Sequence, residues 1–155
     1  MKQAWRKLMR QPARRIRNQR SGAPILPNIT TFTFVFIGGA LGSLLRWLLG
    51  SAIGERYTGK FPLGTFVINV TGAFVMGFLS TLMGVDWRDR FGSTFTALVL
   101  TGLLGGYTTF SSYELDSVTA YNNRERGIAF LYWVGSVVAG LLAAALGWWI
   151  VIQIR

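Results

Sequence analysis

The chain has 155 residues, 51% hydrophobic and only 14% charged, a balance that points away from a soluble globular protein and leaves room for one domain. It contains no cysteine and no histidine, which excludes disulfides, thiolate chemistry, the usual zinc ligands and the usual near-neutral proton carrier. The net charge of +10 is no nucleic-acid signature: eight of the 16 basic residues crowd into positions 2–20 with no acid among them, and the other eight face six acids.

Residues 1–30 are polar and basic, are interrupted by Pro12, Pro24 and Pro27, and hold no apolar block long enough for the core of a secretory signal. They read as a disordered arm ahead of a membrane domain over 31–155. The arm can be a solvated tail or topology signal, an Arg-rich organellar presequence, or a contact with anionic headgroups at about 1 kcal/mol per basic residue.

Four apolar blocks follow, at 31–53 (broken only by Arg46), 61–85, 91–113 and 127–154, joined by short connections at 54–60, 86–90 and 115–126. The third holds 23 residues without a charge. Roughly 20 suffice to cross a hydrocarbon core of about 30 Å. The predicted fold is an all-α membrane protein with four transmembrane helices in up-and-down order, since no strand-length alternation competes.

Small residues recur at helical spacing, Gly38 with Gly42 in the first block and Ser136, Gly140, Ala143 and Gly147 along the fourth, as suits close helix packing in lipid. Four short helices enclose little interior, so homo-oligomerisation is expected. With the arm counted, eleven basic residues fall on the N-terminal side and four on the other, which places the N-terminus in the cytoplasm. Without the arm the count is three against four, and no orientation is specified.

The third block carries Gly105-Gly106-Tyr107-Thr108-Thr109-Phe110-Ser111-Ser112-Tyr113, which predicts a helix break in mid-span. Backbone in lipid must satisfy its own hydrogen bonds, so such a break is tolerable only when it is buried in protein or lines an ion or water site. Carbonyls freed around Gly105 and Thr108 suit a cation. Hydroxyls of Thr108, Thr109, Ser111 and Ser112 and the ring edges of Phe110 and Tyr113 suit a small anion, although aromatics at this spacing also read as core. Glu114 and Asp116 read as solvated end-of-helix carboxylates or as gating groups.

Two stripes at i, i+4, i+7 spacing accompany the break. Gly39, Ser43 and Arg46 form a small polar stripe ending in a positive charge, with Arg46 facing a cavity or snorkelling to the interface. Thr65, Asn69 and Gly72 form another, in which the Asn69 amide ties two helices together or offers its donors to an anion.

The segments Gly39-Ala-Leu-Gly-Ser-Leu-Leu-Arg46, Gly64-Thr-Phe-Val-Ile-Asn69 and Gly105 to Tyr113 with Asp116 beyond resemble the small fluoride channel family, Fluc or CrcB, over about residues 33–152. The resemblance implies an antiparallel, dual-topology dimer with two narrow pores at the subunit interface that conduct fluoride passively. It implies that Asn69, Phe110 and Tyr113 line the pore, Arg46 takes the vestibule, and Thr109, Ser112 and Ser136 extend a polar track. Carbonyls of Gly105 and Thr108 from both subunits would hold one structural sodium ion. Tyr113 stands where the family usually has phenylalanine, and Asp116 where glutamate is common. The implied partners are fluoride, membrane lipid of the inner (plasma) membrane and a second subunit. That subunit is either an identical copy or an oppositely inserted homologue, because the basic arm biases this chain to one orientation.

Two rival functions stand beside this one. A dual-topology, proton-coupled multidrug transporter also uses four short spans but needs an acidic residue deep in the first, where the ionisable residue here is Arg46. A non-transporting assembly protein would use the small-residue faces to recruit partners.

Overall fold

The computed structural model describes residues 29–82 and 94–154; most of the basic arm, the 86–90 connection and Arg155 lie outside the described residues. Three helices, α1 (Ile29–Arg56), α2 (Leu63–Leu82) and the last, α6 (Arg126–Gln153), are each long and apolar enough to cross a membrane. Between them the third pass is built in pieces: α3 (Ala97–Leu104), which winds as a wide π-helix, α4 (Gly105–Tyr107) and α5 (Phe110–Asn122).

Local chemistry sets the ends. Arg56 closes α1 by donating to the Ala52 carbonyl at 3.0 Å, as basic side chains do in a last turn. Pro62 lies just before α2, where a residue without an N–H costs no helical bond, and its carbonyl accepts from Phe66 N at 3.1 Å. Asn123 and Arg124 turn the chain into α6, with Arg124 in the left-handed region at φ 64°. The 57–62 and 123–125 turns sit at one end of the molecule, where Lys60 Nζ pairs with Glu125 Oε1 at 2.7 Å.

The helices pack in two pairs, each through glycine. A Cβ at Gly42 would fall on the Leu103 carbonyl, one at Gly102 on the Val35 carbonyl, and one at Gly106 on the Gly39 carbonyl, so α1 and the third pass touch backbone to backbone. A Cβ at Gly77 would likewise meet the Ala144 carbonyl, and one at Gly147 the Phe74 carbonyl, which brings α2 onto α6. Close approach of this kind supplies the van der Waals contact that holds helices together in lipid, where hydrophobicity does not. Gly140 takes no part: a Cβ there would meet nothing within 4 Å.

Two expectations are refined. The mid-span break is present but narrower than the whole 105–113 stretch, and it does not extend to the glycines. Gly105 and Gly106 are helical, and the extended residues are Thr108 (φ −76°, ψ 157°) and Thr109 (φ −147°, ψ 115°). Gly106 serves packing against α1, and the threonines, whose branched side chains suit extended backbone, carry the interruption. Nor is 115–126 a connection, because α5 continues to Asn122. Asp116 therefore lies inside a helix, where its Oδ2 accepts from Thr65 Oγ1 at 2.7 Å and from Tyr132 OH at 3.4 Å. It is not a solvated end-of-helix carboxylate.

Candidate functional site

Both sequence stripes close on the break, one from each side. From α1, Gly39 abuts Gly106, the Ser43 hydroxyl reaches the Gly106 carbonyl at 3.5 Å, and Arg46 Nη1 donates to the Thr108 carbonyl at 3.4 Å. From α2, Thr65 holds Asp116, Asn69 engages Thr109, and Gly72 makes room for the side chains of Thr108 and Tyr107. Of the two readings of Arg46, the geometry favours the inward one.

Asn69 binds the break at both of its poles. Its Nδ2 donates to the Thr109 carbonyl at 3.0 Å and its Oδ1 accepts from Thr109 N at 2.8 Å. A carboxamide offers two N–H donors, so one stays available after this pairing. Thr109 then caps α5: its Oγ1 accepts from Ser112 N at 3.2 Å and also meets Ser112 Oγ at 3.0 Å. In an unbroken helix Thr109 N–H would donate to the Gly105 carbonyl and Ser112 N–H to the Thr108 carbonyl. Both donors are diverted, and because α5 begins only at Phe110 the carbonyls of Gly105, Gly106, Tyr107 and Thr108 all lose their helical donors, with Ser43 taking up Gly106 and Arg46 taking up Thr108.

Asn69, Thr108, Thr109, Phe110, Tyr113 and Ser136 come together around one cavity of about 360 Å³, whose lining includes no charged residue. The Ser136 hydroxyl is buried and has no hydrogen-bond partner among the described residues. Phe110 is 74% exposed, whereas Tyr113 is buried at 5%, with ring centroids 5.6 Å apart. The Tyr113 hydroxyl donates to the Trp133 carbonyl on α6 at 2.8 Å, which turns it away from the cavity. Ser112 and Arg46 lie elsewhere, on a larger cavity of about 730 Å³ shared with Ser43, Thr65, Ser111 and Asp116; Thr109 lines both. Gly105 faces outward, with open space where a Cβ would stand.

Sequence reasoning passes over one residue of this arrangement. Tyr132 is fully buried, meets the Phe61 ring edge to face and the Tyr113 ring at a tilt, and donates its hydroxyl to Asp116. Its signal is the helical step of four to Ser136, which extends the small-residue face of α6 by one polar position.

Comparison with known proteins places the chain in a family. The family described as CrcB-like protein, Camphor Resistance (CrcB), matches residues 33–148. The chain is 57% identical over 117 residues to fluoride-specific ion channel FluC 2 of Yersinia pseudotuberculosis, covering 76% of this chain and 93% of that one. It is 56% identical over 114 residues to FluC 2 of Brucella abortus, covering 74% and 88%, and 40% identical over 119 residues to FluC of Opitutus terrae, covering 77% and 90%.

Proposed function

The chain belongs to the CrcB family, a family of membrane channels and not of enzymes, and from that premise we propose that it is a passive fluoride-selective channel exporting the ion from the cytoplasm. The observation that carries this reading is the cavity beside the break, lined by an amide, hydroxyls and aromatic rings with no charged residue. Fluoride is small and strongly hydrated, so a pore must replace its water with several donors that still release it, which neutral groups do better than a fixed charge. Ser136 Oγ, the remaining N–H of Asn69 and the edge of the Phe110 ring are such donors. The exposed hydroxyl-bearing turn at Ser111 and the half-buried Ser112 extend the track toward Arg46 in the vestibule.

The functional unit in this reading is an antiparallel dimer in the inner membrane, with two pores at the interface. The exposure of Phe110 and the open space at Gly105 support a second subunit against this face. The diverted donors of the break support one structural sodium on the dimer axis, held by the Gly105 and Thr108 carbonyls of both subunits. A carbonyl has two lone pairs, so the Arg46 bond to Thr108 leaves one for the cation. When bound, sodium supplies a fixed positive charge between the pores. The chain's own residues supply the donors and exclude larger halides by their spacing.

The test is efflux from fluoride-loaded liposomes read with a fluoride electrode, with chloride as control. Rapid fluoride loss with chloride retained is expected. Efflux that requires a proton gradient would favour the coupled transporter, and a folded dimer without flux would favour an assembly protein.

A further inference from the structure

Thr109 N–H has two acceptors competing for it. One is the Gly105 carbonyl, its partner in an unbroken helix, and the other is Asn69 Oδ1, which has it at 2.8 Å. The cap that diverts Ser112 N–H is local and belongs to Thr109 itself. The Asn69 pairing is not local: it crosses 40 positions from α2 and takes the N–H and C=O of one residue together, as a neighbouring backbone would. No other side chain on α2 grips the backbone of the break in this way among the described residues.

We infer that Asn69 is a positioning residue that holds the Gly105 carbonyl open for the cation, and that it does so through its acceptor oxygen, separately from the donor it offers to the anion track. The inference rests on the sodium reading above. Without Oδ1, Thr109 N–H returns to the Gly105 carbonyl and the helix closes over the break. Each residue returned to helix turns the chain by about 100°, so the Phe110 side chain swings with it. Cation site and anion track are then joined by one amide whose two ends serve different ions, and the two ends are separable by substitution.

Asn69→Asp keeps an acceptor oxygen and loses the donors; Asn69→Leu keeps the bulk and loses both. The experiment is thermal unfolding of the purified dimer in detergent, titrated with sodium chloride against choline chloride, beside fluoride efflux on the same proteins. In the wild type, sodium raises the melting temperature. In Asn69→Asp the half-saturating sodium concentration stays within about twofold of wild type while flux is nearly abolished by the negative charge. In Asn69→Leu it rises about tenfold or more, the factor that loss of one hydrogen bond sets. A purely structural Asn69 would lower the melting temperature of both variants and leave the sodium response of both alone, and that result overturns the inference. A wild type that ignores sodium sinks the sodium reading itself. If Asn69→Leu yields no dimer, Asn69→Ala, which also lacks the acceptor oxygen, takes its place: a half-saturating sodium concentration raised about tenfold supports the clamp and an unchanged one overturns it.

Discussion

Tyr113 and Ser136 share a cavity wall yet differ in hydrogen bonding, and that difference sets opposite expectations for removing their hydroxyls. The Tyr113 hydroxyl is bound to a carbonyl of α6. Tyr113→Phe should lower stability by about 0.6 kcal/mol, the mean for side-chain hydrogen bonds within membranes, and leave fluoride flux within about twofold. The Ser136 hydroxyl is buried without a partner among the described residues. Ser136→Ala removes an unmet polar group, so stability should hold or rise by up to about 1 kcal/mol while flux falls. Melting in detergent together with electrode-measured efflux separates the two. At this scale the sequence is a good guide to which residues gather and a poor guide to what each one binds. Asn69, Phe110, Tyr113 and Ser136 are legible as polar or aromatic interruptions of apolar runs. The partner of the Tyr113 hydroxyl is not, because it is a backbone carbonyl 20 positions away that any residue would present.

At the scale of elements, two adjacent glycines in one motif have different duties. A Cβ at Gly106 collides with α1 backbone, while one at Gly105 meets open space within the subunit. Gly106→Val should therefore fail to fold, whereas Gly105→Val should give a folded subunit that no longer dimerises or conducts. Size-exclusion chromatography with flux assays distinguishes the outcomes, and a conducting Gly105→Val dimer would remove the carbonyl site from the dimer axis. The four apolar passes are legible from length and hydropathy alone. The exact placement of the break is not, because glycine marks both flexibility and close contact in a sequence, and Gly106 is there for contact. The reach of α5 to Asn122 escapes for a related reason: its acids look like a solvated loop until Thr65 and Tyr132 are seen to satisfy Asp116.

At the scale of the molecule, the Lys60 to Glu125 pair confirms that the first and third connections share one end, as the up-and-down order requires. Arg56, Arg124 and Arg126 gather there too. Deleting residues 2–20 should leave a core with nearly equal basic charge at its ends, inserting both ways in comparable amounts. The chain has no cysteine, so one introduced at Gly59 can be labelled from either side to count the two populations. A single orientation after deletion would mean that the core carries its own bias. Association state is the least legible property, since large apolar side chains such as Phe36, Phe110, Phe130 and Leu141 are exposed on several helices alike and none of them marks a partner surface by composition.

The two extended residues at 108 and 109 bring the carboxyl end of one half-span against the amino end of the next. Aligned peptide dipoles place about half a negative charge at the first end and about half a positive charge at the second. The electric field of the backbone therefore changes sign over two residues in mid-span, and neither pole depends on a side chain that could lose or gain a proton. In a protein with no histidine, the cation and anion sites proposed above would then rest on backbone poles that do not shift with the pH of either compartment.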